Sequence, residues 1–160
     1  MPLLEDVSTG QLLTSIIEKV ASKDFEIIKR SGQFTFDWVR ERQLETYKIS
    51  ILHPTEAIIG LMALIDYPAE ARIHLNLIEL AQKHRGKSKK IDRIAGCLIA
   101  YACQLAFARG YVGFVSLQPK TILIPWYEKK YGFQKYGRLL AIDQRASEDL
   151  IQEYIRYEGP

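Results

Sequence analysis

The sequence predicts an α/β domain on a mixed sheet, in which an antiparallel strand meander leads into a β-α-β-α-β section. Three observations predict it. Residues 46–52, 56–66 and 72–80 are strand-like runs separated by the turn signals His53-Pro54 and Pro68-Ala69. Residues 91–109 carry apolar side chains at 91, 94, 95, 98, 102, 105 and 106, a helical period, and stop at Gly110. Beyond that helix, strand-like and helix-like segments alternate.

In chain order, residues 11–21 read as a short amphipathic helix with Leu12, Leu13, Ile16, Ile17 and Val20 on one side. Residues 25–38 read as extended: after a Ser31-Gly32 turn, Phe34, Phe36 and Trp38 alternate with Thr35 and Asp37. A short helical turn over 38–43 leads into the three-strand meander. After the long helix come a strand over 111–117 and a helix over 121–131 that stops at Gly132. Residues 133–136 and 139–142 read as a closing strand pair. A last helix over 147–157 starts at Ser147, an N-cap followed by Glu148 and Asp149.

Composition narrows the class. At 160 residues and 18.4 kDa, with 48% apolar and 26% charged residues, residues 1–160 read as one globular domain able to bury its own core. No apolar run approaches the roughly 20 residues of a membrane-spanning helix. Met-Pro-Leu-Leu-Glu-Asp has acids where a secretory signal carries basic residues. Cys97 and Cys103 fall six apart on the predicted helix and point in different directions, so they read as buried reduced thiols, which fits a cytoplasmic protein. His53, His74 and His84 are scattered with no Cys or carboxylate at ligand spacing, which argues against a zinc site.

The charge is concentrated. Six of the eleven residues 83–93, KHRGKSKKIDR, are Lys or Arg and Asp92 is the only acid, so the segment carries +5. The whole chain carries +3, which leaves −2 for everything else and argues against an extended nucleic-acid face. A strand precedes this Gly-containing loop and a helix N-terminus follows it. Free N–H groups and the positive end of a helix dipole there would hold a phosphorylated ligand.

One reading of the loop is the phosphate loop of nucleoside-triphosphate enzymes, because Ala81-Gln-Lys-His-Arg-Gly-Lys-Ser88 fits its relaxed motif and Asp143 could pose as the magnesium-holding acid. Against it, Ala81 stands at the first glycine, and Lys89, Lys90 and Ile91 delay the helix. Only about 70 residues remain for a parallel sheet. The other reading fits the whole chain. Lys90-Ile-Asp-Arg-Ile-Ala-Gly-Cys-Leu-Ile99, Tyr127-Glu-Lys-Lys-Tyr-Gly-Phe133 and the element order over 46–142 resemble the GNAT N-acetyltransferase superfamily. The resemblance covers about two-thirds of the chain. Phe34-Thr-Phe-Asp-Trp38, Leu77-Ile-Glu-Leu-Ala81 and Pro119-Lys-Thr121 are similar to small bacterial members of undefined substrate.

The resemblance implies a GNAT-like fold with antiparallel strands two to four, and acetyl-CoA as cosubstrate. It implies acetyl transfer to an amine of unknown acceptor, either a small molecule or a peptide. The cofactor would lie against Ile78, Leu80, Arg85, Gly86, Lys87, Lys90, Arg93, Ala95 and Gly96. Two departures stand out: Arg93 takes the place of the motif's first glycine, and Tyr127 lies five residues before Gly132, one more than usual. A silent acyl-CoA-binding or interaction module on the same fold is the alternative, and a homodimer is left open.

For the catalytic pair, Glu79 is the only acid in the apolar run 73–81 and is the candidate base. Its other reading is a strand carboxylate paired with a loop lysine. Tyr127 is by resemblance the acid for the departing thiolate, or else an aromatic that packs its helix on the sheet. Trp126 reads as core. His74 and Asn76 are expected to share a face with Ile78 and to border the acceptor site.

Overall fold

The structure of the protein, a computed structural model, describes residues 1–156. Among these, the strands β1 (Leu4–Asp6), β2 (Leu12–Leu13) and β3 (Ser15–Lys19) precede helix α1 (Ser22–Ser31) and a 3-10 turn at Arg40–Gln43. The meander follows as β4 (Glu45–Ile51), β5 (Ala57–Tyr67) and β6 (Arg72–Leu80). Then come β7 (Ile91–Asp92), α2 (Ile94–Ala108), β8 (Val115–Leu117) and α3 (Ile124–Tyr131). The strands β9 (Gln134–Tyr136) and β10 (Leu139–Ile142) and the helix α4 (Gln144–Tyr154) complete the described chain.

The main sheet runs β3-β4-β5-β6-β8-β10-β9, antiparallel throughout except for the β6–β8 pair. The α2 crossover between β6 and β8 makes that pair parallel, as a helical connection does. Helix α2 packs on one face with α4 beside it, and their core joins Ile73, Leu98, Ile99, Phe133 and Leu150. On the other face a smaller core, Ile28, Trp38, Leu61 and Ala63, sits under α1. A second, three-stranded sheet, β2-β1-β7, ties the N-terminal segment to the basic loop.

The meander and the closing strand pair are where the sequence predicts them; the long helix starts three residues later than predicted, at Ile94, because Ile91–Asp92 pair with β1 as β7. Of the first 44 residues only the helical turn over 38–43 is where predicted, as the 3-10 turn Arg40–Gln43. Residues 11–21 form β2 and β3 instead of a helix: β3 pairs with β4 from Ser15↔Ile51 to Lys19↔Tyr47 at the sheet edge. An edge strand covers only one side, so Leu12 and Ile16 stay exposed and the apolar doublets never form a helix stripe. The extended reading of 25–38 likewise fails: 25–31 belong to α1, and 32–38 form a loop with neither helix nor strand. Asp24 accepts the Ala21 N–H at 2.7 Å, satisfying a donor at the helix start, and Gly32, at φ 67°, closes its end. At the C-terminus α4 starts at Gln144, three residues before the predicted start. Asp143 rather than Ser147 is its N-cap, accepting the Ala146 N–H at 2.9 Å. Tyr157, the expected end of that helix, lies outside the described residues.

Asp24 also accepts from Lys48 at 2.9 Å, a buried pair under α1. Burial alone would raise the Asp24 carboxyl; the bonds from Lys48 and from the Ala21 N–H outweigh it and hold the group below its ordinary value. A folded pKa below the unfolded one means stability that is complete above the ordinary carboxylate range and is lost as pH falls through the folded value. Asp24→Asn is expected to cost about 2 kcal/mol at neutral pH, with the difference from the parent shrinking below about pH 4. Urea melts of both proteins at the two pH values measure it.

Candidate active site

Strands β6 and β8 pair only over Ile73–Leu75 and Val115–Leu117. Past Leu75, β6 runs on to Leu80 against β5, with no strand on its other side among the described residues. Its backbone groups there face an opening in the middle of the sheet. Asn76 is an extra residue in this stretch, since Leu75 pairs with Leu64 and Leu77 with Ala63. Such a bulge reverses the alternation of faces. Ile78 and Leu80 therefore pack toward α2, while Leu77 joins the core under α1. The expectation that His74 and Asn76 share a face with Ile78 fails for this reason. His74 instead pairs its Nδ1 with Ser116 Oγ at 2.9 Å, and Asn76 donates to Glu41 at 3.2 Å.

Where β6 ends, the loop and the start of α2 enclose a cavity of about 450 Å³. Leu80, Arg85, Gly86, Arg93, Ala95 and Gly96 line it, six of the nine predicted cofactor residues. Ile78, Lys87 and Lys90 do not: Ile78 is half-buried in the core, and the two lysines are exposed on the loop. The first intrahelical bond of α2 runs from the Cys97 N–H to the Arg93 carbonyl at 3.0 Å, so the N–H groups of Ile94, Ala95 and Gly96 precede it as orphan donors. Asp92 accepts from the Arg93 N–H at 2.8 Å and from Lys89 at 2.9 Å. Burial would raise the Asp92 carboxyl, but these two bonds hold it low, so it stays ionised beside a lysine that offsets its charge.

Three expected roles change. Arg93 adopts φ 79°, the left-handed conformation of the glycine it replaces, and points away from the helix end. Its guanidinium donates to the Leu3 carbonyl at 2.8 Å and to the Glu153 side chain at 3.0 Å, and it stacks on Tyr154 at 4.6 Å. It clamps the N-terminal segment to α4 and is not a free phosphate ligand. Arg85 is likewise folded back, donating to the Leu80 carbonyl at 2.7 Å and to Glu79 at 2.9 Å. Trp126, read as core, is 43% exposed and lines the cavity with Lys130, whose ammonium stands 5.2 Å from its ring.

Glu79 is buried, its side chain 3% exposed. One carboxylate oxygen accepts from the Thr35 N–H at 2.6 Å and from Arg85; the other accepts from the Phe36 N–H at 3.2 Å and from Trp38 Nε1 at 2.8 Å. All four lone-pair sites of the carboxylate are used. The loop cation that pairs with it is an arginine, not a lysine. Tyr127 packs its ring on Trp126, Tyr131 and Phe133 with centroids 5.0, 6.1 and 5.8 Å away, and burial raises its phenol. It is not among the cavity's lining residues; the phenols that border the cavity are Tyr131 and Tyr154. The sequence reading missed Trp126, Lys130, Tyr131 and Tyr154. Only the first three carried a signal: Lys130 and Tyr131 lie inside the Tyr127–Phe133 motif and Trp126 stands beside it.

No protein-family model matches the sequence, and no curated protein matches it. Solved structures do. The chain superposes on spermidine N-acetyltransferase from Vibrio cholerae, a complex with CoA and spermine, with a TM-score of 0.60 at 14% identity, over 84% of this chain and 98% of that one. It superposes on a GNAT-family acetyltransferase from Listeria monocytogenes with a TM-score of 0.54 at 16% identity, over 83% and 94%. A KacTA–DNA complex matches with a TM-score of 0.58 at 13% identity, over 88% and 99%. The fold is that of the GNAT acetyltransferases. Helix α2 begins six residues after Ser88, and β4 to β6 are antiparallel, so the triphosphate-loop reading has no structural support. No helix among the described residues is long and apolar enough to cross a membrane.

Proposed function

We propose that this chain binds acetyl-CoA at the parting of β6 and β8 and transfers its acetyl group to an amine. The observation that carries the reading is that parting, with the cavity and the orphan N–H donors of α2 at its mouth. Those donors and Lys89 or Lys130 would meet the phosphates, and the unpaired stretch of β6 would take the extended arm. The cosubstrate supplies an activated thioester, whose carbonyl an amine attacks once it has lost its proton. Since the Glu79 oxygens are fully occupied, that proton leaves through water, and Tyr154 and Tyr131 are the phenols to test as proton sources for the thiolate.

The saturation of Glu79 also favours a second reading, an acyl-CoA-binding module without turnover. Calorimetry and thermal shift with CoA and with Mg-ATP separate these readings from a nucleotide-binding one. Saturating CoA is expected to add about 3–4 kcal/mol of stability. Stabilisation by Mg-ATP alone would sink both CoA readings. Free-thiol release from acetyl-CoA over a panel of polyamines, amino acids and peptides then distinguishes enzyme from module.

A further inference from the structure

His84 closes the 3-10 turn Gln82–His84 and borders the cavity at the start of α2. It is 4% exposed, and neither Nδ1 nor Nε2 has a hydrogen-bond partner among the described residues. Buried polar atoms are paired as a rule, so two bare nitrogens on one ring call for a ligand or an ordered water. Burial first, then the charges of Lys83 and Lys90, lower its pKa to about 4, so the ring is neutral in the empty site. The other charged groups around the cavity are largely committed. Arg85 is turned to Glu79, Lys89 is paired with Asp92, Arg93 holds Glu153, and Lys130 stands across on α3 beside Trp126.

An anion entering the cavity would cancel part of what keeps this ring neutral. It offsets the field of Lys83 and Lys90, and it offers an acceptor to an imidazole N–H that has none. We propose that His84 is a proton-linked anchor: it donates a hydrogen bond to a phosphate oxygen of the ligand, and the ring takes up a proton from solvent as that ligand binds. This rests on the reading of the cavity as a CoA phosphate site. It adds a consequence that fold and motif do not carry: cofactor affinity rises as pH falls.

The test is calorimetric titration of the unmodified protein and of H84Q with CoA, at about pH 5.5 and about pH 7.5, in two buffers of different ionisation heat. Titration of the CoA phosphates themselves is common to both proteins and cancels in the comparison. The expected result is proton uptake by the parent in excess of H84Q. Its affinity should also gain about threefold or more over the variant's on acidification. Nitrogen NMR of the imidazoles in the unmodified protein reads the same event without a mutation, as a shift of one ring toward the charged pattern when CoA is added. Equal proton uptake and equal pH slopes, with the ring staying neutral, would overturn the proposal and leave the nitrogens hydrated by water only. If CoA does not bind at either pH, the CoA reading fails by itself. Inorganic pyrophosphate titrated in its place then decides His84: proton uptake supports the anchor, and no binding or no uptake overturns it.

Discussion

Glu79→Ala is expected to lower folding stability by about 3–5 kcal/mol, because it strands four donors at once. The N–H groups of Thr35 and Phe36, the Trp38 indole and Arg85 all converge on this one buried carboxylate. Water can reach Arg85, which is partly exposed, but Trp38 is buried. The loop 34–38 has no regular structure and is held on the sheet largely through these bonds. Glu79→Gln keeps the volume and half of the acceptors, and its amide N–H₂ would face two donors. It should destabilise less than the alanine and still measurably. Urea melts of both variants measure this, and activity assays at a temperature where they are folded address the base role. A Glu79→Gln protein of unchanged stability and sharply reduced turnover would reinstate Glu79 as the base and refute the structural account.

The second large effect is steric. A Cβ at Gly96 would collide with the ring of Tyr154, far inside contact distance. That ring is confined between Arg93 on one side and Tyr131 on another, with centroids 6.2 Å apart for the two tyrosines. Gly96→Val must push it out and part α2 from α4, at a cost of about 3 kcal/mol. Helix propensity partly opposes this for Gly96→Ala, since alanine is preferred to glycine in a helix by about 1 kcal/mol. Tyr154→Leu should relieve the clash, so the double variant Gly96→Val/Tyr154→Leu should be more stable than the two single losses predict. Thermal melts of the four proteins give the coupling. Strictly additive losses would mean that the ring is not what excludes a side chain at Gly96.

These two sites also show what a sequence can disclose. The meander and α2 were legible because their residues face one environment over many periods, and periodicity is a local property. The basic loop was legible as a charge excess between a strand and a helix. Residues 11–38 were not, since the apolar doublets of 11–21 suit helix and edge strand alike. The alternating Phe34, Phe36 and Trp38 mark a loop folded under α1, not a strand. A usable signal was overlooked there: Asp24 and Gly32 bracket α1 as a start and a stop. Three of the four partners of Glu79 lie more than forty positions upstream, and those of Arg93 lie at residues 3 and 153, beyond any spacing argument. Both side chains were read as functional because their binding partners were invisible. The bulge at Asn76 was hidden for the same reason, being defined only by the register with β5.

The narrow β6–β8 junction has a consequence for how the molecule comes apart. Three residue pairs, Ile73–Leu75 with Val115–Leu117, are the only ladder joining the meander and α1 to the block of β8, β10 and β9 among the described residues. Besides the hydrogen bonds that Ser116 makes with Arg72 and His74, what spans the two blocks is mainly side-chain packing under α2 and α4. A seam this narrow is where a sheet gives first, so the backbone amides of residues 115–142 are expected to exchange with solvent sooner than those of the meander. A ligand lodged in the parting touches both units. Its binding energy then falls on the seam itself, and the amide exchange of the two blocks should converge in the bound protein.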